Sequence, residues 1–422
     1  MNNDKNLTIE KTFNLAIQNH QGGKFDIACD LYQKVLEIDR NYVKAHYNLG
    51  VVYKVLKEYP KAIICFKKSI EINPKYIDAH NNLGIIFKQL GRFQEARSCY
   101  ESVIKIDPNY EKAYNNLGNL FYTLGDNKRA IYYYQKFISL KPDNETLLYN
   151  LGITLHSDKE YKKAIEQFKL TNFANSKSFL LSCLYELNDK YTFINELDNQ
   201  IKQGANNAII GSLISRSEIK YGIKKFNPFC GDPLEYALKT DLTNRYDFKN
   251  LFVKPITDSL KEGVFSSRKQ GLLTNGYQTA GNLFAENKEF LKKIKDIIYL
   301  EVDRYYEHFK KSNEGFIKSW PKSYDINAWL VNMKSGGKLS PHIHDYGWLS
   351  GSVYVNVPTK LKNNSGNLVV CIDDQQIKTE KKIIDVVTGS LCLFPSSLFH
   401  YTIPFDSKED RIVLAFDILQ DE

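Results

Sequence analysis

Asn81-Asn82-Leu83-Gly84 returns 34 residues later as Asn115-Asn116-Leu117-Gly118, and the positions around it repeat as well. Gly50, Gly84, Gly118 and Gly152 keep that interval, and so do Ala28, Ala62, Ala96, Ala130 and Ala164. Each Ala is followed four residues on by a ring, at Tyr32, Phe66, Tyr100, Tyr134 and Phe168, and Pro74, Pro108 and Pro142 close three of the units. Small residues where helices cross, a ring to fill the next gap and a Pro at the turn predict stacked helical hairpins. None of these can bury its apolar face alone.

The period resembles the tetratricopeptide repeat, in particular the repeats of the superhelical arm of O-linked N-acetylglucosamine transferase. Five units span residues 9–170. A degenerate sixth, around Phe179 to Ile201 with Ser182 at the Gly position, is read as a cap. Asn48, Asn82, Asn116 and Asn150 form a ladder, one per first helix, and a carboxamide both donates to and accepts from an extended peptide. The resemblance implies that the ladder holds a protein or peptide partner. Asn before Leu-Gly is also ordinary for this repeat and serves equally as a bond between helices. His46 and His80 read as packing residues.

The period is lost after Gly204. Asn227-Pro228-Phe229-Cys230-Gly231-Asp232-Pro233 reads as a domain junction, and Pro233 to Leu242 as a short helix. Apolar residues at helical spacing from Asn287 to Lys310 then predict a helix that backs a sheet. Strands are expected at Ser323 to Met333, Gly351 to Val357, Leu368 to Ile372, Lys382 to Val387, Leu391 to Phe394 and Arg411 to Leu419, with a turn at Lys334-Ser335-Gly336-Gly337-Lys338. The fold class is therefore multidomain: an all-α solenoid over 1–202, a helical linker over 203–245, and an α+β domain with a jelly-roll core over 246–422.

Within the last domain stands Pro341-His342-Ile343-His344-Asp345-Tyr346-Gly347-Trp348, and farther on Phe399-His400-Tyr401 and Arg411. Alternate residues of a strand share a face, so His342 and His344 would point together as two metal ligands, with His400 from a distant strand as the third. Asp345 is held in reserve for His344, since it could ligate only through a bulge or turn.

These residues resemble the 2-oxoglutarate- and Fe(II)-dependent oxygenases, over roughly the last 175 residues. The resemblance implies an enzyme, a hydroxylase, with Fe(II) as metal and 2-oxoglutarate as cosubstrate. It assigns the far carboxylate of 2-oxoglutarate to Arg411, ten intervening residues after His400, and a cosubstrate contact to Tyr354 in Tyr354-Val355-Asn356. The chain departs from the common His-x-Asp…His set in having His344 at the Asp position. Gln278 and Thr279 are positioned to add substrate contacts. The rival reading is a non-catalytic tetratricopeptide scaffold with a cupin-like binding domain. Its weakness is that the Glu cupins place after their His pair is replaced by Tyr346, Gly347, Trp348 and Leu349.

With 43% hydrophobic and 13% aromatic residues the chain carries real cores, and a net charge of +8 from 57 basic and 49 acidic residues is too small to argue for nucleic acid. Seven cysteines without CxxC spacing imply a reducing compartment. With no apolar leader and no run of eighteen apolar residues, the expected location is the cytoplasm, without a membrane partner.

Overall fold

The computed structural model describes residues 2–173, 175–265, 267–268, 271–286, 288–373 and 380–420. Asn287, the expected first residue of the long helix, lies outside them. The chain divides into two compact units, 1–154 and 155–422.

In the first unit helices alternate in antiparallel pairs: Asn2–Gln21 with Phe25–Ile38, Val43–Val55 with Tyr59–Ile72, Ile77–Gln89 with Phe93–Ile106, and Glu111–Thr123 with Asn127–Leu140. The small-plus-ring period has a steric cause. A Cβ on Gly84 would stand 2.6 Å from the Tyr100 ring, and one on Gly118 would stand 2.4 Å from Tyr134, so ring and glycine occupy one another's space. Ala28, Ala62, Ala96 and Ala130 are fully buried at the helix crossings. The first helix of each pair ends on a left-handed residue, and these recur at Gly23, Lys57, Gly91 and Gly125; Lys57 takes φ 59° without being glycine. The second helices end on Asx turns, in which Asp39, Asn73 and Asp107 accept a hydrogen bond from the backbone two residues on, at 2.9, 3.1 and 2.9 Å. His46 and His80 each bond the carbonyl six residues before, Arg40 and Pro74, both at 2.9 Å.

The second unit opens with helices Tyr161–Lys169, Ser176–Glu186, Lys190–Lys202 and Ala208–Tyr221. Ten strands follow: β1 (Leu238–Asp241), β2 (Ser267–Arg268), β3 (Leu273–Thr279), β4 (Tyr324–Leu339), β5 (Leu349–Asn356), β6 (Leu368–Cys371), β7 (Lys381–Ile384), β8 (Ser390–Pro395), β9 (Phe399–Thr402) and β10 (Arg411–Gln420). They form two antiparallel sheets, one ordered β1-β8-β5-β10-β4-β3-β2 and the other β7-β6-β9. Helix Glu289–Phe309 buries Leu291, Ile294, Ile298, Val302 and Tyr305 in the core of the larger sheet.

Three local expectations give way to tertiary packing. Pro233 to Leu242 is not one helix: a single 3₁₀ turn, Pro233–Tyr236, leads into β1, which becomes a strand because β8 offers it a free edge. The turn expected at Lys334 to Lys338 lies inside β4, where Gly336 at φ 73° and a register shift against β3 absorb the irregularity. Asn227 to Pro233 is packed rather than a free junction. Asn227 Oδ1 accepts from the Phe229 and Cys230 amides at 3.1 and 3.2 Å, and fully buried Phe229 meets Trp348 edge to face at 5.2 Å. Phe316 N–H bonds the Phe229 carbonyl at 2.7 Å, and a Cβ on Gly315 would fall 1.7 Å from the Pro228 oxygen. The span 203–245 thus carries a 14-residue helix, β1 and part of the core. A cut at residue 246 would remove all three.

Candidate metal centre

β9 and the segment after β4 meet through a two-way backbone bridge: His400 N–H to the His342 carbonyl at 2.9 Å, and His342 N–H to the His400 carbonyl at 3.3 Å. The His pair is not in a regular strand, as the alternation argument assumed. Only His342 is bridged, and the chain turns at Asp345-Tyr346, closed by Gly347 N–H to the His344 carbonyl at 3.1 Å. The two rings still come together. His342, His344 and His400 each present one nitrogen, all within 4.8 Å of one another. The His342 and His344 Nε2 atoms are 3.2 Å apart. Metal–imidazole bonds of about 2.0–2.1 Å meeting near a right angle would set two ligands roughly 3 Å apart, so this spacing suits one ion.

The tautomers suit it too. His342 Nδ1–H donates to the Ser340 carbonyl at 2.9 Å, which leaves Nε2 as a lone pair facing the other rings. Burial, then the neighbouring His344 charge, lowers the His342 pKa to about 4. Burial and both neighbouring rings hold His400 well below its ordinary value. Neutral imidazoles are what a metal needs. Burial also pulls on His344, but the Asp417 charge and hydrogen bond outweigh it and leave the pKa raised.

Asp417 escaped the sequence reading. It lies in β10 amid Phe416, Ile418 and Leu414, and the lone carboxylate in an apolar strand was the available signal. Its Oδ1 is 2.5 Å from His344 Nδ1 and accepts from Ser350 Oγ at 2.9 Å, and Ser350 in turn meets Ser396 Oγ at 2.8 Å. Gly347 makes room for this group, since a Cβ there would stand 2.5 Å from Ser396 Oγ and 3.1 Å from Asp417 Oδ1. Asp345 is not in the ligand cluster among the described residues. Burial raises its pKa to about 6, against the pull of His344 and Arg216 and with a further push from Asp417.

The three imidazoles line a cavity between the two sheets together with Tyr354, Arg411, Trp329 and Met333. Arg411 is 1% exposed, and no acidic side chain among the described residues pairs with it. Its Nε has no hydrogen-bond partner, Nη1 meets the soft Met333 Sδ at 3.9 Å, and the neighbouring Tyr354, whose ring lies 5.1 Å from Cζ, supplies a neutral side-chain hydrogen-bond partner. Burial depresses its pKa, opposed by Tyr354. The nearest candidate in sequence, Asp410, is taken by Lys334 at 2.6 Å. A buried cation without a counter-ion costs several kcal/mol in free energy, about what an incoming carboxylate would recover. The donor set therefore fits both groups: three converging imidazole nitrogens for a divalent metal, and a guanidinium for the far end of a dicarboxylate. Gln278 and Thr279 do not line this cavity; Thr279 Oγ1 instead accepts the Leu330 amide at 3.0 Å.

In the first unit the four ladder asparagines are half-buried. Asn82 bonds Lys54 Nζ at 2.5 Å and Tyr47 OH at 3.2 Å, and Asn116 bonds Asn81 at 2.8 Å, so these two carboxamides already join neighbouring helices. No helix among the described residues is long and apolar enough to cross a membrane.

Comparison with known proteins finds family matches in both halves of the chain. Tetratricopeptide-repeat families match residues 19–57, 43–76, 65–98, 84–125 and 118–159. The family described as "Putative 2OG-Fe(II) oxygenase" matches residues 327–417, the stretch from β4 to Asp417. A search of curated proteins finds no match. Among solved structures, PilF of Pseudomonas aeruginosa is 19% identical, with 47% of this chain and 93% of that one covered at a TM-score of 0.41. MamA is 25% identical (42% and 96% covered, TM-score 0.36), and YrrB, a tetratricopeptide protein described as having an unusual peptide-binding site, is 21% identical (43% and 90%, 0.35). The chain carries tetratricopeptide repeats over residues 19–159 and a C-terminal domain that matches, over residues 327–417, the family described as "Putative 2OG-Fe(II) oxygenase".

Proposed function

We propose that the chain is a 2-oxoglutarate- and Fe(II)-dependent dioxygenase that hydroxylates a protein or peptide captured by its repeats, and that it works in the cytoplasm. The observation that carries the reading is Arg411, a buried guanidinium without an acid, in the same cavity as three converging imidazoles. His342, His344 and His400 would hold the iron, and Arg411 with Tyr354 the far carboxylate of 2-oxoglutarate. Bound there, iron and cosubstrate supply an oxidising step in which one oxygen atom goes to decarboxylating the keto acid and the other to a substrate C–H bond.

The protein's own part is to bind, orient and exclude water. The planar guanidinium suits a bidentate carboxylate and its burial strengthens that bond, while the Tyr354 ring keeps the guanidinium plane in place. Trp329, edge-on to His344 at 5.4 Å, and Phe394, 5.0 Å from His400, keep the rings from rotating out of the cluster. Seven free cysteines support a reducing compartment. For Asn48, Asn82, Asn116 and Asn150, peptide capture remains our proposal for whatever bonding capacity the helix contacts leave.

Full-length protein purified without oxygen is expected to bind one Fe(II) per chain and, once aerated, to turn 2-oxoglutarate over slowly to succinate. In a second arm, Ala at all four ladder positions should weaken retention of protein substrate without changing metal content. A chain that binds neither a divalent metal nor 2-oxoglutarate would be a scaffold with a metal-free binding domain.

A further inference from the structure

A three-imidazole set brings no negative charge to a divalent ion, where the more usual set brings one carboxylate. The same cluster has a carboxylate one bond behind it. We infer that Asp417 is a positioning residue: it fixes His344 as the Nδ1–H tautomer, so that Nε2 faces the metal, and supplies through that ring the charge that the ligand set lacks. This rests on the three-imidazole reading of the site.

The geometry separates Asp417 from an ordinary buried acid. It is 7% exposed and has no Lys or Arg partner among the described residues; its partners are His344 Nδ1 at 2.5 Å and Ser350 Oγ at 2.9 Å. Ser350 Oγ also lies 3.0 Å from His344 Nδ1. An ionised carboxylate can only accept, and Ser350 donates to it, so the proton between ring and carboxylate comes from the imidazole. The three rings are not treated alike. His342 donates its Nδ1–H to a neutral carbonyl and His400 has only the neutral Leu398 backbone beside it, so only His344 is backed by charge. His344 also stands where the usual set has its carboxylate. The negative charge is displaced from the ligand to the group behind it, which makes the ring a stronger donor. Gly347 and Ser396, packed against this pair, show that the space around the carboxylate is shaped for it.

Asp417→Asn preserves shape and removes the charge. A carboxamide can turn its NH₂ toward Nδ1 and so move the ring proton to Nε2, the nitrogen that should face the metal. Two readouts on the full-length protein test this. Titration with Co(II) should show affinity reduced by about 10–100-fold in Asp417→Asn, the usual cost of losing such a partner. In metal-free protein at alkaline pH, where the ring is neutral, ¹⁵N imidazole spectra should place the His344 proton on Nδ1 in the wild type and on Nε2 in the variant. A merely structural role would not move that proton. Ser350→Ala, which leaves the charge in place, should keep the wild-type tautomer. Wild-type affinity in Asp417→Asn, or an unmoved proton, overturns the inference. If His342→Ala weakens Co(II) binding in the same series, the three-imidazole reading survives that outcome. If His342→Ala also binds normally, both fail.

Discussion

His342→Ala and His400→Ala are each expected to abolish stoichiometric metal binding while the domain stays folded. Each removes one of three nitrogens that converge within 4.8 Å, and two imidazoles alone hold a divalent ion weakly. The loss should exceed the roughly 10–100-fold expected when only a partner behind a ligand is removed. The fold should persist because the bridge between residues 342 and 400 is made by backbone atoms, which an Ala retains. Metal content by atomic emission, read beside the far-UV spectrum, checks both halves of the expectation. Asp345→Ala provides the contrast and should retain its metal. Iron lost there but kept in His344→Ala would move the ligand by one residue, and full iron in both His342→Ala and His400→Ala would leave the cluster without a role.

Arg411→Met should separate stability from function in sign. In the ligand-free protein the guanidinium is buried with no acid to offset it, so a Met of similar length removes a desolvation cost and is expected to raise stability by about 1–3 kcal/mol. Met333 and Tyr354 already form an apolar lining for it. The same change should weaken 2-oxoglutarate binding by about 2–5 kcal/mol, roughly 30- to several-thousand-fold, as when one partner of a buried charge pair is lost. Thermal unfolding of metal-free protein and calorimetric titration with 2-oxoglutarate read the two effects separately. A variant less stable than the wild type, with cosubstrate affinity intact, would mean that Arg411 is a satisfied structural cation.

The repeats were legible because their cause is local. A ring sixteen residues after each Gly fills the space a side chain there would need, so steric complementarity is written into the sequence at every turn of the period. The three convergent His were legible because few side chains serve a metal. What the sequence could not reveal was which distant element completes a short segment. Leu238-Lys239-Thr240-Asp241 has little strand character and pairs because β8 lies beside it. Asn227 to Pro233 advertises a turn correctly, but not that the turn buries Phe229 beneath Trp348. The His pair reaches its geometry by a bridge and a turn rather than by strand alternation, a different route to the same juxtaposition. Asp417 was hidden by distance, since 73 residues separate it from the ring it holds.

The cavity wall also bears on how such a protein would survive its own reaction. A site that handles dioxygen can turn its oxidant on itself whenever substrate is missing. The thiols are poorly placed to suffer: six of the seven are buried, and burial pushes Cys65 up to about 11 and Cys99, Cys183 and Cys392 to about 12, so little reactive thiolate exists at neutral pH. A thioether needs no deprotonation, and Met333 is the one sulfur-bearing residue lining the cavity among the described residues. Under the proposed chemistry, turnover without substrate should add a single oxygen to the peptide carrying Met333, visible by mass spectrometry, and leave the cysteines untouched; oxidation on the thiols instead would place the oxidant elsewhere. The sulfoxide would set a polar oxygen beside the Arg411 guanidinium, a damaged side chain occupying the place of the cosubstrate's carboxylate.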